Sequence, residues 1–376
     1  MKGGVGLIQT RTGRVTKLIY DSDQIQELEI LSNGRIEKSI NYPAMTGKVG
    51  IGDEVLLNTT AVELSLGTGG YHFVLNGPHV PVGTIQKDRH IMKLRYTPMQ
   101  IATGSCEEEG SPYHSVFLEK ESIDGMPVIV GELHSMLPVL AGYLKGSLKE
   151  CRIAYIMTDK GALPLALSRH IRALKEVSWL DSTITTGHAF GGDLECLTIY
   201  TALLAAKHIL KADVTIAIMG PGIVGTGTPL GFTGMEQVEI LHAISSLGGI
   251  PILTPRVGTK DQRLRHQGMS HHTYSVLQHT LASVHVPLLE EIREGKLESP
   301  RHFLHYKKKE SLKDVKNILT PYPLKVETMG RGIDEDPLFF YSVAGAADFA
   351  GTILNNSSAL ADEVDLGRLW RDSTML

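Results

Sequence analysis

Residues 214–249 read VTIAIMGPGIVGTGTPLGFTGMEQVEILHAISSLGG. The first six are continuously apolar, as in a strand covered on both faces of a parallel sheet. Positions 234–247 space their apolar residues like a helix. Thr233 and Glu236 stand as a T-x-x-E capping box, and Gly248 sits where a helix-ending glycine belongs. Between strand and helix lies loop 220–234, with six glycines and three threonines. Strand, loop and helix in this order form one unit of an α/β domain.

The same alternation extends both ways along the chain. Strands are expected at 126–132, 152–157, 182–186, 250–255, 284–288 and 324–328. Helices are expected at 135–148, 164–175 and 194–211, from Ser270 onward, and at 338–354 behind Pro337, with a charge-rich exposed helical segment over 289–318. Residues 126–376 should therefore form an α/β, Rossmann-like domain: a mostly parallel sheet flanked by helices on both faces. Residues 1–105 follow another grammar. Short β-branched runs at 5–10, 15–20, 27–31, 36–40, 54–58, 62–66 and 71–75 are separated by turn signals such as Thr12-Gly13 and Asn33-Gly34. A smaller N-terminal β-barrel-like domain fits them, either as a structural cap or as an interaction module. Residues 106–125 are polar and turn-rich, and read as a linker.

Composition limits what the chain can be. With 376 residues, 42% hydrophobic and 21% charged, it is an ordinary globular sequence of two-domain size. A formal charge of −4 argues against a general nucleic-acid partner, which needs a large positive field. Cys106, Cys151 and Cys196 are three scattered cysteines with no CxxC pair, so neither a disulfide framework nor a cysteine zinc site is expected. The first ten residues lack the apolar core of a signal peptide, and no unbroken apolar run reaches the ~18–20 residues of a membrane span. The expectation is a cytoplasmic chain with no membrane partner. Its oligomeric state is not written in the sequence, and a homodimer follows only from the prevalence of twofold assemblies.

Ligands of open parallel sheets bind outside the C-terminal strand ends. The loops there are polar or small at 132–134, 158–161, 185–193, 220–234, 256–260 and 329–336. In loop 220–234, Gly220, Gly222, Gly225 and Gly227 would let backbone amides approach an anion, and Thr226 and Thr228 would add hydroxyls. Gly191 and Gly192 permit a second close approach. Arg256 and Arg265 would clamp a phosphate or carboxylate beside Ser270, His271 and His272 at a helix start. Asp159, Lys160 and His188 are the acid/base candidates. Asp193 reads as the cap of helix 194–211.

Several chemistries are disfavoured. Gly220-x-Gly222-x-x-Gly225 matches GxGxxG, but its helix begins too late and Arg256 ends the next strand where a dinucleotide site needs an acid. Neither a Walker pattern nor a G-x-S-x-G elbow occurs. No HxH, HExxH or HxxxH pair marks these loops, so no metal ligand is assigned, and no cofactor can be named.

The motifs Gly187-His188-Ala189-Phe190-Gly191-Gly192-Asp193-Leu194-Glu195, Gly220-Pro221-Gly222 with Gly225-Thr226-Gly227-Thr228, and Ser270-His271-His272 resemble a bacterial family known as domain of unknown function 3866. The resemblance spans nearly the whole chain. It implies a bacterial protein of cytosolic type and supplies no catalytic residue. The residues themselves favour a site for a small anionic ligand, phosphorylated or nucleotide-like. A non-catalytic sensor or adaptor and a metal-dependent hydrolase are the alternatives.

Overall fold

The structure, a computed structural model, describes residues 7–67, 69–79, 89–292 and 300–360. The chain forms two compact units, Met1–Gly104 and Ser105–Leu376.

The first unit is a closed five-stranded barrel of order β1-β2-β3-β5-β4. Its strands are β1 (Thr10–Asp21), β2 (Gln26–Ser32), β3 (Arg35–Asn41), β4 (Glu54–Asn58) and β5 (Tyr71–Asn76). All pairings are antiparallel except β3 with β5, a Greek-key arrangement of the OB-fold kind. Asn33 and Gly34 both take positive φ (48° and 74°), as the two-residue β2–β3 turn requires. Val15, Leu28, Ile30, Val55, Leu57 and Val74 alternate inward to make its core. Two short helices, α1 (Pro43–Thr46) and α2 (Thr60–Glu63), join the strands, and a hairpin of β6 (Ile91–Lys93) and β7 (Ile101–Thr103) follows.

Two expectations fail in this unit, and a third is only partly within the described residues. The chain does not turn at Thr12-Gly13, because β1 runs straight through; Gly13 instead admits the Leu57 side chain, which would stand 3.2 Å from an added methyl. Strand 62–66 is replaced by α2, where local helical bonding overrides the alternation of Val62, Leu64 and Leu66. The strand expected at 5–10 lies partly outside the described residues.

The second unit is an eight-stranded, all-parallel sheet of order β11-β10-β9-β12-β8-β13-β16-β17. The strands are β8 (Pro127–Val130), β9 (Ile153–Met157), β10 (Ser182–Thr186), β11 (Leu194–Cys196), β12 (Val214–Ala217), β13 (Ile250–Leu253), β16 (His285–Leu289) and β17 (Phe303–Lys307). Between β13 and β16, a small antiparallel pair forms from β14 (Val257–Gly258) and β15 (Gly268–Met269). Successive side chains of each strand enter opposite layers. Ile129, Ile153, Tyr155 and Ile216 face one layer; Val128, Val130, Ala154, Ile156 and Ala217 face the other.

Helices cover both faces. α3 (His114–Glu119) packs through Phe117 on the second layer, with α6 (Ile199–Leu204), α7 (Glu236–Ser246) and α8 (His271–His279). The first layer is covered by α4 (Leu137–Ser147), α5 (Arg169–Glu176), α9 (Val315–Leu319) and α10 (Pro337–Leu360). Over Pro337–Asn356, α10 is long and apolar enough to cross a membrane by length and composition alone. Here Phe339, Phe340, Val343, Ala344, Ala346, Ala347 and Ala350 are buried in the core, as expected of a helix enclosed by a sheet and neighbouring helices.

Several boundaries differ from expectation, each for a local reason. The apolar run 194–211 opens as strand β11. Its helix starts only at Ile199, capped reciprocally by Thr198 and Thr201, and continues as a π-helical turn over Ala205–Ile209. Asp193 is thus no cap; it accepts from Thr183 N (2.8 Å) and pairs with Lys175 (2.7 Å). The capping box at 233–236 does not form either, because a 3-10 turn over Thr233–Met235 precedes α7 and Glu236 points elsewhere. Within 289–318, β17 is an edge strand whose Lys and His residues mask the β pattern, as charged residues on exposed edges do. Residues 324–328 form no strand beyond an isolated Thr328–Arg331 bridge. Residues 106–125 pack on the second unit: Cys106 N donates to Glu195 O (2.9 Å) and Ile123 is fully buried.

Phe340 is fully buried between α10 and the sheet layer. Phe340→Ala should lower the unfolding free energy by about 3–5 kcal/mol, read as a shifted denaturant midpoint with the fold retained.

Candidate functional site

The strand order places the C-terminal ends of β9, β12, β8 and β13 side by side. The chain first fills one side of β8 with β9, β10 and β11. It then returns to insert β12 and proceeds to the other side. Such a reversal opens a crevice between the loops that leave the central strands. A cleft of ≈ 290 Å³ lies there, lined by Glu132, Leu133, His134 and Ser135, residues 220–223 and residues 327–329.

Two groups of polar side chains lie beyond these strand ends. The first follows β9 and β10. Asp159 accepts from the amide of His188 (3.1 Å) and stands 3.7 Å from Lys160 Nζ. Gly187, at φ 61°, lets Asp159 approach: a methyl there would lie 2.3 Å from Oδ2. The three acid/base candidates are therefore neighbours. Beside them, Thr158 Oγ1 donates to Glu236 Oε1 (2.7 Å). Glu236 is buried, and that burial raises its carboxyl to about 7 despite the Thr158 bond and the charge of Lys160. A carboxyl tuned to neutrality at a strand end is a strong acid/base candidate. Sequence reading assigned Glu236 to a helix cap, because only tertiary packing turns it toward Thr158.

The second group follows β8 and β13. Arg256, expected to clamp an anion, is buried instead; its Nη1 donates to Glu132 Oε1 at 3.1 Å. The same Oε1 is in close contact with His272 Nδ1, from which Arg256 Nη1 is 3.3 Å away. Glu132 is 2% exposed and His272 5%, so both partners are desolvated. Phe232 stacks on the His272 ring, with centroids 3.6 Å apart and planes within 2°. Ser270 is fully buried. It caps α8 by accepting from His272 N (3.2 Å) and bonds His266 Nδ1 (2.7 Å), so it faces no ligand. The β14–β15 pair returns the chain so that His266 meets His271 and His272, with ring centroids 5.0 and 4.9 Å away. Sequence reading overlooked Glu132 and His266: Glu132 is an isolated acid after an apolar run, and His266 precedes the helix and shares no helical spacing with the others.

Loop 220–234 lies between the groups and divides into two halves. Gly220 is required by packing, since a methyl there would stand 2.5 Å from Ala162 O. Gly161 faces it likewise, 2.3 Å from Gly220 O. The outer half is stapled on itself: Thr226 N donates to Gly231 O (2.8 Å), Thr233 N to Val224 O (2.8 Å), and the Thr226 and Thr228 hydroxyls are 2.9 Å apart. The threonines thus hold the loop's shape. Among the described residues, the amides of Gly222, Gly225 and Gly227 have no hydrogen-bond partner. Gly191 and Gly192 differ, because their amides are bound by Glu195 Oε1 (2.7 Å) and Thr185 Oγ1 (3.1 Å).

The two groups are distinct. Asp159 and Glu132 leave strands two places apart, which is about 10 Å at the usual spacing of ~4.8 Å. They form two clusters rather than one.

These features describe an α/β protein with two polar clusters, one of them rich in histidine, beyond the strand ends of an all-parallel sheet. The chain belongs to the family described as "Protein of unknown function (DUF3866)", whose model matches residues 38–347. No curated protein matches the chain. The solved structure titled "Crystal structure of YjeQ from Thermotoga maritima" is similar at 12% identity and a TM-score of 0.14, over 47% of this chain and 51% of that one. The chain thus spans about half the length of that structure, and a likeness at this level carries no functional argument.

Two outcomes test this geometry. Glu236 holds its proton to about pH 7 when folded, against an ordinary value of 4.5. Between these values the folded state binds the extra proton, so stability falls as pH rises. The loss is about 3 kcal/mol at most, and Glu236→Gln should flatten the profile of unfolding free energy against pH across that window. Arg256→Met should cost about 3–5 kcal/mol in the same measurement near neutral pH, because it leaves Glu132 buried without its cation.

Proposed function

We propose that this protein is an enzyme acting on a small anionic ligand, phosphorylated or nucleotide-like, bound at the C-terminal strand ends of the parallel sheet. One observation carries the reading: the outer glycine loop lies against both a free cation and the histidine cluster. A methyl at Gly227 would stand 3.5 Å from Arg265 Nη2, and one at Gly225 3.8 Å from His272 Cε1. Arg265 is exposed and has no carboxylate partner among the described residues. Unpartnered glycine amides beside a guanidinium suit an anion, which accepts from both. In the cluster after β9, Glu236 supplies a group that exchanges protons near neutral pH, with Asp159 and Lys160 beside it. Three free cysteines support placement in a reducing compartment such as the cytoplasm.

Thermal unfolding in phosphate, nucleotides, sugar phosphates and coenzyme A tests the reading. A bound anion should raise the melting temperature saturably, by the equivalent of ~2.7 kcal/mol at a hundred times its Kd. Arg265→Ala should weaken that binding about tenfold, the value of one charge-assisted bond. A wild-type protein indifferent to every anion, or an Arg265→Ala variant that binds equally well, would overturn it.

A further inference from the structure

We infer that His266, His271 and His272 form a binding site for one divalent transition-metal ion, zinc or a similar borderline cation. One ligand nitrogen from each ring lies within 4.8 Å of the other two, close enough for a single ion to reach all three. The second observation is at His271, whose Nε2 is buried with no hydrogen-bond partner. Leaving such a nitrogen desolvated and unpaired is unfavourable, and a metal ligand bond removes that cost.

The surroundings are those of a metal-binding imidazole set. A ligating histidine normally holds its second ring nitrogen in a hydrogen bond that fixes tautomer and orientation. His272 Nδ1 is held by the buried Glu132 carboxylate, and His266 Nδ1 by Ser270 Oγ at 2.7 Å. With both Nδ1–H groups donating, each Nε2 lone pair is left for the metal. Phe232, stacked on His272, fixes the ring from its face.

Charge explains what completes the coordination. Glu132 is balanced by Arg256, and Arg263 by Asp261 at 2.9 Å. A dication held by the three imidazoles would stand next to Arg265 and the Gly225–Gly227 amides. Three protein ligands leave the fourth tetrahedral position to water or to an anionic ligand atom. The metal site stands on the histidine geometry alone and does not require the anion reading.

The experiment uses the untagged full chain, stripped of metal and titrated with Co²⁺. The expected result is one saturable equivalent giving visible d–d absorption, together with paramagnetically shifted, exchangeable imidazole N–H proton signals. His271→Ala and His266→Gln should each remove at least about 90% of the absorption at one equivalent while keeping the wild-type melting temperature within a few degrees. Glu132→Gln, which removes the carboxylate that holds His272 Nδ1 and also pairs with Arg256, should weaken Co²⁺ about 10–100-fold in protein whose folding is checked by its melting temperature. The inference is overturned by a folded wild type with no saturable Co²⁺ spectrum, or by a spectrum lacking shifted imidazole signals. Equal binding by both histidine variants would also overturn it. Anion binding that persists in the metal-free protein would leave the functional proposal standing while this one fails.

Discussion

Glu132 stands at the end of β8 and is bonded at once by Arg256, after β13, and His272, on α8. A carboxylate that is 2% exposed is tolerable only with such partners, because stripping an ion of water costs several kcal/mol unless opposite charge and hydrogen bonds replace it. The contact therefore fixes three chain segments that the parallel sheet alone would leave free. It orients the first turn of α8, brings His272 under Phe232, and positions the β14–β15 return that delivers His266. The glycine loop rests on this platform through Gly225 and Phe232. Everything polar on that side of the crevice is referenced to one buried acid.

Much of this fold is written in local pattern. Apolar runs such as 153–157 and 250–253 mark buried strands, and Ser270 marks the start of α8 by the side chain that caps it. The turn at Asn33-Gly34 needs two residues that accept positive φ, and only a short list of residues does so. Patterns of that kind survive translation into sequence because their causes lie within a few residues. Edge strands do not: β11 has three residues, and β17 carries the charges that keep an open edge from pairing with other chains.

The site was legible in place but not in detail. Strand-end position drew attention to Asp159, His188 and loop 220–234; the structure sets them after β9, β10 and β12, and of these only residues 220–223 line the cleft. Which members face it is a matter of packing. Gly220 is small because the backbone at Ala162 comes close, and Gly191 and Gly192 serve the turn bound by Glu195 and Thr185. Arg256 points into the protein because Glu132 is there, a partner 124 residues away in the chain. Glu236 and His266 acquire their meaning from neighbours that no local spacing reveals.

The position of β12 has a consequence for how the molecule is assembled. β8 and β9 are the first two sheet strands made, yet they never touch as neighbours, because β12 lies between them. Until residues 214–217 have left the ribosome, both inner edges stay open, and β10 and β11 can only extend the half that contains β9. The crevice is thus closed late, by a strand that carries the glycine loop at its tip. A nascent chain has no crevice between β8 and β9 until its middle is made, and the strand that joins the two halves also carries the glycine loop to it.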